Sequence, residues 1–120
     1  MLETNLVKWL RLVFNLPVYA FEVPLKESGT CWVYENAGRG IRTLYHDGSE
    51  IIQRTIKLTK SATSYEQILD DSKLTKYIKE LAKLGDLPIL HARIDNFTDL
   101  YDRENEIFER TYTIHFKYKE

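Results

Sequence analysis

From Glu106 to Tyr118 apolar and polar side chains alternate almost without fault. Phe108, Tyr112, Ile114, Phe116 and Tyr118 share one parity, and Glu109, Thr111, Thr113, His115 and Lys117 share the other. A period of two marks a strand with one buried face, because successive side chains leave a pleated backbone on opposite sides. A second strand, Ile89 to Phe97, precedes it with Leu90, Ala92 and Ile94 on one face. The polar stretch Asp99-Leu100-Tyr101-Asp102-Arg103-Glu104-Asn105 lies between them. The chain thus closes in a long antiparallel hairpin, too long for a fold of this size unless it projects or joins something else.

At 120 residues the chain reads as one domain, residues 1–120, near the commonest size for a self-sufficient core. Seventeen basic residues against eighteen acidic ones leave almost no net charge. Proteins that hold DNA by its phosphates carry a basic excess, so general nucleic-acid binding is disfavoured. A single cysteine, Cys31, rules out an internal disulfide and fits a reducing compartment as a small buried apolar residue. The apolar run Leu6 to Phe14 is broken by Lys8 and Arg11 and has no small-residue cleavage site, which argues against a signal peptide. It is also too short to span a bilayer. The expectation is a cytoplasmic protein with no membrane contact.

A first helix is predicted from about Thr4 to Asn15, ended by Leu16-Pro17. Its polar residues Thr4, Lys8, Arg11 and Asn15 form a narrow wedge. The apolar arc covers roughly 220°, about twice the stripe that a helix on one sheet requires. Two explanations stand: a helix tucked between a sheet and another helix, or burial against a neighbouring subunit. Short strands are predicted at Val18–Val23, Thr30–Tyr34 and Ile41–Tyr45. A flexible loop, Glu35 to Gly40, and an Asp47-Gly48 turn punctuate them. Ile51–Lys60 is a clear strand with Ile52, Ile56 and Leu58 inward. A second helix begins near Ser64, which with Gln67 makes a capping-box pattern, and stops at Gly85 before Pro88. Ser72 is placed to cap a separate second segment. The fold class is α+β: a mainly antiparallel sheet, two helices on one face and a long C-terminal β-hairpin.

No constellation of residues points to catalysis, and no cofactor or metal is implied. His46, His91 and His115 share no ligand spacing. His91 and His115 belong to the polar parity of the hairpin, where cross-strand contact between them is the plain reading. The acids Asp95, Asp99, Asp102, Glu104 and Glu106 lack the glycine and spacing of a calcium loop, so a solvated hairpin tip accounts for them. Gly38-Arg39-Gly40 lacks the Lys-Ser/Thr and following helix of a phosphate loop. Arg42, Arg54, Lys57 and Lys60 form a doubtful stripe, because alternation puts Lys57 opposite Arg54 and Lys60. What remains are surfaces. Trp9, Leu10, Val13 and Phe14 are candidate subunit-interface residues. Asn36, Gly38, Arg39 and Gly40 are a candidate partner loop, and Asp102, Arg103 and Glu104 a candidate hairpin tip.

The order of elements, Tyr45-His46-Asp47-Gly48-Ser49 leading into a strand, and the close Arg110-Thr111-Tyr112-Thr113-Ile114-His115-Phe116-Lys117-Tyr118 resemble phage tail terminator proteins. These are the lambda-type terminators and the small tail-completion proteins of long-tailed phages often labelled minor capsid proteins. The resemblance implies a non-enzymatic virion protein that forms a ring, typically a hexamer, on the finished tail tube. Its implied partners are copies of itself, the major tail-tube protein and a head-completion or neck protein, with DNA only passing through the lumen. Near-neutral charge suits such a lumen. Two other readings stay open: another head–tail joining protein, or a small phage-encoded inhibitor or adaptor of a host protein.

Overall fold

Residues 2–21, 29–38, 40–69 and 72–120 are described by the structure, a computed structural model of the chain. The elements are α1 (Leu2–Phe14), β1 (Val18–Ala20), β2 (Cys31–Asn36), β3 (Ile41–Leu44), β4 (Glu50–Ala62), α2 (Tyr65–Leu69), α3 (Ser72–Lys79), β5 (Lys83–Leu84), β6 (Leu87–Asp102) and β7 (Ile107–Lys119). This is an α+β fold with a mostly antiparallel sheet. Glu22 and Val23, the end of the first predicted strand, lie outside the described residues.

The seven strands run in the order β1-β2-β4-β7-β6-β5, with β3 paired to β4. β3 meets residues 50–53 and β2 meets residues 56–61, so they follow one another along the same edge of β4. Among the described residues, only β1 and β2 pair in parallel. The Asp47-Gly48 turn joins β3 to β4, with Asp47 Oδ1 accepting from the Ser49 N–H at 2.9 Å and the Ser49 hydroxyl at 2.6 Å.

Alternation in β7 works as the sequence implies. Tyr112, Ile114, Phe116 and Tyr118 are buried and pair with Leu58, Ile56, Arg54 and Ile52 of β4. α1 lays Leu2, Leu6 and Leu10, spaced four apart, onto this face, and α3 adds Leu74 and Ile78. Each such aliphatic side chain stabilises the fold by about 1.5–3 kcal/mol relative to exposure.

The second predicted helix is two segments, and Ser72 opens the later one. α3 ends at Lys79, short of the predicted stop. Lys83 and Leu84 instead pair with Pro88 and Leu87, and Gly85, φ 60°, makes the turn between them. The Gln67 side chain accepts from Thr30 Oγ1 at 3.1 Å, linking α2 to the start of β2.

β6 departs from simple alternation. Its register against β7 slips between Ile89 and His91 and again between Ile94 and Asn96. Each extra residue is a bulge that turns the following side chains over. Ile89 and Ala92 are buried and Ile94 packs against the core, but Leu90 is half exposed, which corrects its predicted place on the inner face. His91 pairs with Lys117, and His115 with Arg93, so the two histidines are not opposite each other.

The long hairpin does not stand alone. β7 is paired along almost its whole length on both sides, with β4 on one and β6 on the other. These three strands form a long central ribbon. The molecule measures 53 × 25 × 24 Å with a radius of gyration of 15.1 Å. A compact chain of this length would have a radius of about 13.6 Å. Only the Asp102–Ile107 pair and the turn it closes extend beyond the end of β4.

Candidate assembly surfaces

The helix α1 meets the sheet through one stripe and leaves a flank. Leu10 is wholly buried in the core, so its side chain is not at the surface. Trp9 and Phe14 pack against the core from its edge, and Val13 is half buried. The Phe14 ring lies 5.2 Å from Trp32 and 6.3 Å from Trp9. Lys73 donates to the Val13 carbonyl at 2.8 Å while its ammonium sits 5.3 Å from the centre of Phe14. Asn15 stops the helix in the left-handed region, φ 55°, with its N–H on the Arg11 carbonyl. Much of the over-wide apolar arc is thus used within the subunit. The residue left over is Leu12, 85% exposed, which belongs to the apolar arc but not to the candidate interface.

In the glycine loop, Asn36 is the last residue of β2 and its side-chain oxygen accepts from Arg54. Arg54 also pairs with Glu3, tying the start of α1 to the sheet. Asn36 therefore braces the subunit. Gly40, φ 81°, lies against β4: an added Cβ would sit 2.7 Å from the Gln53 carbonyl oxygen and 2.8 Å from Arg54 Cγ. Gly38, φ 90°, faces open space. Arg39 lies outside the described residues.

Near the turn, the hairpin and α2 meet in a cluster of aromatic side chains around one buried cation. Arg110 lies on the same parity as Phe108 and Tyr112, with only 7% of its side chain exposed. Its Nε and Nη2 donate to Asp99 Oδ1 and Oδ2 at 2.6 and 2.9 Å, and Nη1 donates to the Leu69 carbonyl at 3.3 Å. The guanidinium also stacks 4.2 Å from the Phe97 ring centre. Tyr65 of α2 donates to Asp99 Oδ2 and lies edge-on to Phe108, which meets Tyr101 at 4.5 Å. The hydrogen bonds from Arg110 hold the Asp99 carboxyl below its ordinary range. From the sequence alone Arg110 carries no assigned role. The signal was a lone cation on the apolar parity of the last strand.

At the hairpin's end, Asp102 organises the turn. Its Oδ1 accepts from the N–H groups of Glu104 and Asn105 at 3.1 and 3.4 Å, and its Oδ2 accepts from Asn105 Nδ2 at 2.8 Å. Glu106 closes the turn at φ 54°. The tip is thus preorganised, with Arg103 and Glu104 exposed on it. Beyond Ile89, the outward edge of β6 pairs with no strand among the described residues. Phe97, Leu100 and Tyr101 are substantially exposed along this stretch.

The face of the sheet away from the helices holds a cleft of about 410 Å³. Ala37 and Gly40 of the loop with Ile41 of β3 form one wall, and His91, Arg93, His115 and Lys117 are among the residues that line the rest. His115 Nδ1 hydrogen-bonds the Thr55 hydroxyl at 2.8 Å, and its Nε2 lies 3.5 Å from Asp95. Asp95 also meets Arg93 at 3.4 Å. His91 and Lys117 form no ion pair among the described residues. The other basic residues considered from sequence make no stripe: Arg42 pairs with Glu50, Arg54 with Glu3, and Lys60 sits over Trp32. Among the described residues, no helix is long and apolar enough to cross a membrane.

No protein-family model and no curated protein matches this sequence. Among solved structures the chain is similar in fold to a chain in the virion of a native gene transfer agent particle. The TM-score is 0.59 and the identity 8%, over 92% of this chain and 84% of that one.

Proposed function

We propose that this protein is a structural component of a phage-type virion and, within it, a tail terminator that forms a ring on the completed tail tube. The observation that carries the virion reading is the fold likeness, which spans most of both chains and so extends beyond a shared core motif. The narrower role draws on the elongated sheet, the free outer edge of β6 and the near-neutral charge. An unpaired edge is a template for another chain's backbone. A neutral ring lets DNA through without phosphate-driven retention. The role is non-enzymatic: the ring ends tube growth and offers its other side to the neck of the filled head.

The test is to add the purified protein to polymerising tail-tube protein. Capped tubes of limited length, with rings visible by negative-stain microscopy, support the reading. Tubes of unchanged length with no bound protein sink it. Binding to a neck protein alone would assign the chain to head–tail joining instead.

A further inference from the structure

Two oppositely charged features lie far apart along one sheet. The cleft brings Arg93, Lys117, His91 and His115 together, with the Asp95 carboxylate meeting Arg93 and His115. The hairpin tip gathers Asp102, Glu104, Glu106 and Glu109 around a single cation, Arg103. Asp102 is spent on the turn, and its hydrogen bonds from Asn105 keep it ionised below its usual range. Glu104 and Glu106 stay exposed and carry no ion pair among the described residues.

We infer that the acidic hairpin tip of one copy docks in the basic cleft of a second copy. This deepens the ring reading above and rests on it. Within one subunit the contact cannot form. Arg93 and Asp102 lie on the same strand, and the intervening residues of β6 hold them roughly 30 Å apart at ~3.3 Å per residue. The two strands of the hairpin are paired up to the turn, so the tip cannot fold back. The contact therefore joins different patches on two copies. Such a heterologous interface generates a ring if its rotation closes and a filament if it does not. The preorganised turn lowers the ordering cost of docking. Opposed charge steers the encounter and makes it weaken with salt.

The experiment uses the full chain and reads mass by native mass spectrometry and light scattering, at low and high salt. One variant reverses the cleft, Arg93→Glu with Lys117→Glu; another reverses the tip, Glu104→Lys with Glu106→Lys. A third combines all four changes. Urea unfolding checks that each variant folds, and Arg93→Gln with Lys117→Gln replaces the cleft reversal if that one does not. The wild type is expected to form higher oligomers that dissociate with salt. Each reversal alone should raise the concentration for half-association at least tenfold, on the order of the 1.4 kcal/mol that a tenfold change represents. The four-fold variant should regain most of that loss. A wild type that stays monomeric, both alone and with tube protein, overturns the contact. So does association that survives either reversal, or a combined variant that fails to recover. If rings cap tubes regardless of the reversals, the docking falls and the terminator reading stands. If the charge swap behaves as expected but tubes are never capped, the terminator reading falls and the contact stands.

Discussion

Arg110 and Asp99 face each other across the β6–β7 ladder, joined by two hydrogen bonds of 2.6 and 2.9 Å. Tyr65 and the Leu69 carbonyl of α2 converge on the pair. It fastens α2 to the outer half of the hairpin. Replacing Arg110 with Ala should lower stability by roughly 1.5–3 kcal/mol, the range for hydrogen bonds to charged groups. Urea unfolding measures this, and a double-mutant cycle with Asp99→Asn should show that the two losses do not add.

The same pair gives an acid limb. Because Arg110 lowers the folded carboxyl of Asp99, the unfolded chain takes up the proton first as pH falls. The pair's contribution is thus complete above the unfolded value near ~3.9 and declines as pH drops through the lower folded value. The stability gap between wild type and Asp99→Asn should be constant from neutrality to about pH 5 and shrink below about pH 4. A gap independent of pH across that window would contradict the assignment.

Glu109 should behave in the opposite sense. Desolvation, with Asp102 adding to it, raises its carboxyl above the ordinary value. Its protonated form is favoured by folding, so that contribution is present at low pH and lost as pH rises through the folded value. Glu109→Gln is therefore expected to stabilise the fold at neutral pH, with a benefit that fades toward acid. Thermal midpoints of the two proteins across pH check the sign.

Two leucines two positions apart on α1 should separate folding from assembly. Leu10→Ala leaves a cavity in the core and should cost about 2–5 kcal/mol. Leu12→Glu alters an exposed side chain and should change stability by no more than about 0.5 kcal/mol. Any effect of the latter on oligomer mass then reports a surface contact.

The loop glycines differ for steric reasons. Gly38→Ala meets no neighbour, so only the positive φ is penalised, about 1–2 kcal/mol. Gly40→Ala adds a clash with the β4 backbone and should cost more. Equal losses in chemical denaturation would refute the close approach.

Much of the fold was legible because regular elements impose a period on their side chains. The alternation of Tyr112 to Tyr118 marked the buried face of β7, and Ile52, Ile56 and Leu58 marked that of β4. The Asp47-Gly48 turn was legible because left-handed backbone favours glycine. β6 was harder to read. Ile89 and Leu90 are both apolar, so either parity satisfied the pattern, and the bulge between them leaves no compositional mark. Candidate surfaces fared unevenly: Asn36 is exposed but its side chain is engaged by Arg54, and the cleft joins residues from β3, β4, β6, β7 and a loop.

Residue order alone dictated a half-buried sheet, an over-apolar first helix and a long polar-tipped hairpin. Those properties follow from local periodicity and turn chemistry. Long-range packing made Leu10 core and Leu12 surface, since a helix with apolar residues on most sides can dock in several rotations. It also decided that Arg110 clasps Asp99, that β4 completes the hairpin into a ribbon, and that cleft and tip stand far apart along it. Register and bulges fix those relationships, and they are set by how strands pair.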